Sequence, residues 1–276
     1  MIKIDFQNKP INFYQSAEFS KKRNIPSHII LKQAFDCGIL YDEKKKLLLN
    51  FIEFIKKNND NFKSQLYQDL FASFIVNENF NKTFFEFGAT NGLDLSNTFL
   101  LENEFSWSGA LAEPDPQWLN QLKKNRPKSK IISKCIWKNS YEKLNFFSSE
   151  VGVLSTLENY KFSDSESMPA NTRTRVKSGK IIEVETISLN QVIEEEFDDK
   201  SPTYISIDTE GSEFEILNSF DFSKYHPAIF TIEHNFTKLQ DKIDKLMLDN
   251  NYIRVFRKLT SFDGWYISLK ALDKLG

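Results

Sequence analysis

Apolar residues along this chain switch between two periods. Short continuous runs, such as Phe84-Phe85-Glu86-Phe87, Gly109-Ala110-Leu111-Ala112 and Ile229-Phe230-Thr231-Ile232, suit strands buried on both faces. Between them, Leu119 and Leu122, Val192 and Ile193, and Leu239, Ile243, Leu246 and Met247 recur at helical spacing. Alternating strands and helices predict an α/β domain built of βα units. The expected core strands are 83–88, 108–113, about 130–136, 202–208 and 227–233, with helices over 93–105 and 237–249. A closing pair, 252–256 and 265–269, is expected to turn at Asp263-Gly264.

Three stretches depart from this rhythm. Residues 1–28 are irregular, and 29–58 carry helical stripes divided at Gly38. Residues 1–61 thus read as an N-terminal helical extension that either caps the core or joins a homo-oligomer, with the main domain at 62–276. A helix is expected over 62–80, with Ser64 as N-cap and Gln65 and Asp69 on one face. A strand over 143–147 precedes residues 148–180, which are polar and read as an acceptor-binding lid. Their Arg173 and Arg175 have two readings, contacts to an acidic acceptor group or solvated loop residues.

Composition narrows the class. The 276 residues carry 36 basic and 38 acidic side chains, so bulk charge gives a nucleic-acid partner no support. Cys37 and Cys135 have no disulfide or metal spacing, which favours a reducing compartment. No apolar run reaches the ~18 residues of a membrane span, and the N-terminus has no signal-like apolar core. The expectation is a cytoplasmic protein with no membrane partner.

The chemistry concentrates where strands end. The first βα turn reads Glu86-x-Gly88-x-x-x-Gly92, not the G-x-G-x-x-G of a dinucleotide site. A carboxylate before the glycines repels a pyrophosphate and favours a cationic, hydroxyl-bearing ligand. S-adenosylmethionine (SAM) has those properties. Glu113, after the second strand, is placed for a ribose diol. Asp208 with Glu210, and Glu233 with His234 and Asn235, end the next two strands, which makes an acidic rim.

These residues resemble the FkbM family of class I SAM-dependent methyltransferases. The likeness runs over 62–270 and rests on Ser64-Gln65-x-x-Gln68-Asp69, Phe85-Glu86-Phe87-Gly88-Ala89-x-x-Gly92-x-Asp94-Leu95-Ser96-Asn97, and Trp107-x-Gly109 with Glu113-Pro114. It continues through Asn125-Arg126-Pro127, Ile207-Asp208-x-Glu210-Gly211-x-Glu213 and Glu233-His234-Asn235. The resemblance implies a Rossmann-like fold, a seven-stranded, mostly parallel sheet whose last strand is antiparallel, with helices on both faces. It implies SAM on Glu86, Gly88, Ala89, Gly92 and Ser96, the ribose on Glu113 and Pro114, and Gln65 and Asp69 nearby. Where relatives carry an acid for adenine, this chain has Cys135-Ile136-Trp137, so backbone or apolar contacts are expected there. The implied reaction is O-methylation of a hydroxyl, foremost on a sugar or glycan. Asp208, Glu210, Glu233 and His234 are the catalytic candidates, with Asp208 and Glu233 as ligands if a divalent metal takes part. The alternative is a non-catalytic SAM- or partner-binding domain of the same fold, which the intact Glu86, Gly88, Gly92 and Glu113 disfavour.

Overall fold

A computed structural model of the chain describes residues 25–58, 62–76, 78 and 80–275. The irregular reading of residues 1–24 therefore lies outside the described residues. The main sheet holds β1 (Thr83–Phe87), β2 (Ser108–Ala112), β3 (Lys130–Ile132), β8 (Tyr204–Ile207), β9 (Ile229–Glu233), β10 (Tyr252–Val255) and β11 (Asp263–Ser268). Its order is β10-β11-β9-β8-β1-β2-β3. The pairs β1–β2, β1–β8, β2–β3 and β8–β9 are parallel, and β11 runs antiparallel to both neighbours. This is the strand arrangement that the resemblance implies, with the last strand in sequence reversed as expected.

The sheet is apolar on both faces because helices cover both. Phe84, Leu111, Tyr204 and Ile229 join one buried cluster, while Phe85, Ala110, Ile205 and Phe230 join the other. Alternate residues of each strand thus feed opposite layers. The helices between the strands include α4 (Phe99–Glu104), α5 (Pro116–Asn125), α7 (Leu189–Glu196), α8 (Glu213–Asn218) and α9 (Leu239–Asp249). Capping follows the sequence: Asp115 accepts from Gln117 N–H ahead of Pro116, and Ser188 accepts from Gln191 N–H. No helix among the described residues is long and apolar enough to cross a membrane.

Several boundaries differ from the sequence expectation. The helix after β1 begins only at Phe99, because Glu86 captures Ser96, the Asn97 N–H and Thr98 and holds that stretch open. The expected 130–136 strand breaks after Ile132. Its second part, β4 (Cys135–Trp137), pairs with β7 (Gly179–Ser188) in a separate four-stranded sheet. That sheet also contains β5 (Lys143–Ser149) and β6 (Thr156–Leu157). Asp263-Gly264 is not a turn but the start of β11; the connection is α10 (Arg257–Thr260). Ser64 caps no helix, since α3 is Gln68–Ile75.

The N-terminal helices α1 (Ser27–Asp36) and α2 (Lys45–Lys57) share the main core. Gly38, at φ +73°, follows α1 in the left-handed region where glycine ends helices at least cost. Phe51 of α2 stacks on Phe256 at 5.6 Å and meets Phe71 and Trp265 edge-on at 5.9 Å. Phe51→Ala should lower unfolding stability by about 3–5 kcal/mol in a urea titration. A loss under about 1 kcal/mol would make the extension peripheral to the fold.

Candidate active site

The site begins with the glycine turn after β1. Gly88, at φ +82°, is packed so tightly that a Cβ would lie 1.8 Å from the Asp208 carbonyl oxygen. Gly92, at φ +70°, leaves room for Leu122 and Arg126, which a Cβ would meet at 2.4 and 2.7 Å. A side chain at Gly88 would drive into backbone and one at Gly92 into two neighbouring side chains, and both positions hold a φ that side chains disfavour. Glu86 ties the loop down: its carboxylate accepts from Ser96 Oγ (2.9 Å), Asn97 N–H (2.8 Å) and the Thr98 hydroxyl. Arg126, fully buried, lies 3.8 Å from Glu86 and 3.1 Å from Glu102, and donates to Gly92, Ser96 and Thr98. One guanidinium thus holds both ends of the loop and answers two buried carboxylates.

Glu113, buried at the end of β2, accepts from Thr90 N–H and Asp115 N–H, each at 2.8 Å. Burial pushes its carboxyl up to about 7. With Pro114 it lines a slot of about 40 Å³ whose other walls include Cys135, Ile136, Phe146 and Leu157. The slot is apolar where an adenine acid was missing from the sequence.

On the other side of Gly88 a cavity of about 460 Å³ opens over the strand ends. Asp208, Glu210 and Glu233 bring carboxylate oxygens within 4.8 Å of one another there. Parallel pairing of β8 and β9 makes this convergence possible. Burial pushes Asp208 up to about 7, and burial together with the facing charge of Asp208 raises Glu233, hydrogen-bonded to it, well above the ordinary carboxylate range. The pair therefore shares a proton near neutral pH. Glu210 is raised by burial and by Asp208, against the pull of Arg175. The Arg175 guanidinium lies 2.6 Å from Glu210 and 2.8 Å from Asp164, and Asn235 donates to both Glu210 and Glu233.

Arg175 corrects the reading of the 148–180 segment. It is neither solvated nor free for an acceptor: it is fully buried on α6 (Pro169–Lys177) and bolts that segment to the rim, also donating to Leu154 and Lys161 carbonyls. Backbone strain gathers at the same rim, where Thr90, Leu95, Glu210, Asn235 and Phe236 all hold positive φ.

Two other expected residues, His234 and Asp69, sit away from the cavity, and a third, Gln65, reaches it from outside a helix. His234 does not line the large cavity; its Nδ1 accepts from Phe236 N–H and its Nε2 lies 2.8 Å from Arg254. Burial and Arg254 lower its imidazole to about 4, so it is neutral and spent on structure. Asp69 is wholly buried and braces Lys63, Ser64 and Leu70. Gln65 precedes α3 and is exposed on the cavity wall, so it does not share a helix face with Asp69. Ala89 and Ser96 do line the cavity. Sequence reasoning passed over Asp263, which lines it from β11 and accepts from Gln68 and Trp265, each at 3.0 Å. Its only signal was a carboxylate in a dipeptide typical of turns.

The buried acids fix a pH dependence. Glu113, Asp208 and Asp263 are each pushed up to about 7 by burial, well above the values carboxyls take in an unfolded chain. Between about pH 4 and 7 the folded state binds more protons than the unfolded one. Their stability contribution is therefore present at low pH and lost as pH rises through 7. His234, lowered to about 4, opposes this with a single proton. Thermal unfolding of the ligand-free protein should give a Tm that falls from pH 5.5 to 7.5; a rise would contradict the burial of these acids.

The family model described as the methyltransferase FkbM domain matches residues 86–254, more than half the chain. Solved structures similar to it include precorrin-6y C5,15-methyltransferase from Geobacter metallireducens GS-15, at 12% identity and TM-score 0.36, covering 71% of this chain and 76% of that one. Another is the pyocyanin biosynthetic protein PhzM, at 9% identity and TM-score 0.36, covering 93% and 68%. No curated protein matches the chain. The match spans the glycine turn and the strand ends bearing Glu113, Asp208 and Glu233, and the chain belongs to the FkbM methyltransferase family.

Proposed function

We propose that this methyltransferase transfers the methyl group of SAM to a hydroxyl oxygen, foremost on a sugar or glycan, with Asp208 as the proton acceptor. The observation that carries the reading is the Asp208–Glu210–Glu233 group, Glu210 buried and the other two half-buried, standing beside the Gly88 turn. Members of a methyltransferase family use SAM, and the residues fit it. Glu113 and the apolar slot suit a ribose diol and adenine, while the Asn97 Oδ1, buried on the cavity wall, lacks a hydrogen-bond donor. When bound, SAM supplies an electrophilic methyl on a sulfonium.

The chain's own task is alignment and proton removal. Gly88 and Gly92 let the backbone turn beneath the ligand. Glu86 and Arg126 keep the loop rigid, and Glu113 marks the ribose end. Asp208, poised near 7 by burial, takes the hydroxyl proton as the oxygen gains the methyl group. Glu233 holds Asp208 by hydrogen bond, and Arg175 fixes Glu210 beside them. The three carboxylates also fit a divalent ion, whose oxygen-ligand preference they match. Such an ion would lower the pKa of the acceptor hydroxyl.

Titration calorimetry should give binding of SAM and S-adenosylhomocysteine and none of NAD. Glu113→Ala should weaken SAM by about 1–3 kcal/mol. SAM that fails to bind would refute the assignment. Turnover should rise with pH through about 7, as Asp208 loses its proton, and level off above. Asp208→Asn should retain SAM binding and lose most activity; near-normal turnover would remove Asp208 from catalysis. EDTA separates the two versions, since loss restored by magnesium or manganese requires the ion and unchanged turnover excludes it.

A further inference from the structure

The turn that walls the apolar slot is built inside out. Gly152–Leu154 form one short helical turn between β5 and β6. Its glycine is buried, while Val151 and Val153 on either side are 43% and 41% exposed. Burial of apolar surface alone would put the valines inward and the glycine outward. Both valines line the site: Val151 lines the large cavity, and Val153 lines both the cavity and the slot. Their apolar surface is presented to whatever binds there.

The glycine is required by a contact and not by a backbone angle. Gly38, Gly88, Gly92 and Gly211 hold positive φ, but Gly152 does not, so its backbone is open to other residues. What excludes a side chain is Trp118, in the first turn of α5. A Cβ on Gly152 would lie 2.0 Å from Cζ2, 2.4 Å from Cε2 and 2.6 Å from Nε1 of the indole. Among the described residues Nε1 is buried without an acceptor, so this close packing leaves a donor unmet. Hydrogen bonds fix the turn on both sides of the contact. Gln117 Nε2 donates to Ser148 Oγ (3.2 Å) and to the Ser149 carbonyl (3.3 Å). Arg175 Nε donates to the Leu154 carbonyl at 2.7 Å. Between these anchors the indole sets how close Gly152 and Val153 come to α5. That helix starts at Pro116, three residues after Glu113. One short stretch thus carries both the proposed ribose acid and the seat of the slot's wall.

We infer that Gly152 and Trp118 are a positioning pair for the cofactor's base: the flat seat lets the 151–154 turn close on the slot and brings Val153 against the adenine. This rests on reading the slot as the adenine site. A purine has apolar faces, and Val153 adds an aliphatic side chain to Ile136 and Leu157 around it. Trp118 acts through the turn, since it does not itself line the slot.

The test is titration calorimetry of S-adenosylhomocysteine into the full chain and its variants, with Tm measured beside it to show that each is folded. Gly152→Ala puts a methyl group against the indole and lifts the turn, and should weaken binding about tenfold. Trp118→Leu removes the obstacle, so adding Gly152→Ala to it should cost no more than about twofold. Val153→Ser changes an exposed side chain, leaves the seat intact and should weaken binding roughly fourfold or more. Wild-type affinity in Gly152→Ala, an equal loss from Gly152→Ala with and without the indole, or unchanged affinity in Val153→Ser would each overturn the inference. Should Gly152→Ala fail to fold, Val153→Ser decides it alone. Wild-type protein that binds no S-adenosylhomocysteine would instead refute the methyltransferase reading, so the two failures are distinguishable.

Discussion

A carboxylate taken out of water must be met by a cation, a proton or several hydrogen-bond donors, and this fold buries a row of them along one sheet edge. Glu86 and Glu102 converge on Arg126, and Asp164 and Glu210 converge on Arg175. Both arginines are fully buried. Each sits where two parts of the chain must be held in register: Arg126 between the glycine loop and α5, Arg175 between the second sheet's segment and the rim. Removing either guanidinium would leave two carboxylates without a counter-charge.

The carboxylates that are not answered this way define the working part of the site. Asp208 and Glu233 share a proton, and Asp263 is met by hydrogen bonds from Gln68 and Trp265. In the free protein their burial is offset by the proton and by these hydrogen bonds, which a ligand bringing donors or positive charge can replace. This gives the cavity two halves. One is rigid and internally satisfied around Glu86 and Gly88; the other is under-satisfied and responds to what enters. Strained backbone at Glu210 and Asn235 lies on the second half, where preorganisation matters for chemistry.

Much of this was legible in the residues. Continuous apolar runs gave strands because both faces of the sheet are covered, and Glu86-x-Gly88 with Glu113 pointed to the rim where the cavity and slot lie because backbone turns and acids at strand ends are local features. What escaped was long-range. The break after Ile132 depends on pairing with β7, fifty residues away in sequence. His234 read as a base by its position, yet Arg254, from a later strand, claims its ring. Arg175 looked solvated in a polar stretch, and only folding shows it meeting Asp164 and Glu210. Asp263 was hidden in a turn-like dipeptide because the antiparallel insertion of β11 beside β9 is a tertiary event.

The central claim is that one acidic sheet edge divides between SAM and its acceptor. The most direct measurement is a crystal structure of the protein with S-adenosylhomocysteine. The account predicts the ribose hydroxyls on Glu113, the adenine in the slot between Ile136 and Leu157, the amino-acid end beside Glu86, and the cavity before Asp263 still open. A ligand whose ribose lies away from Glu113, or whose amino-acid end occupies Asp263, would contradict it.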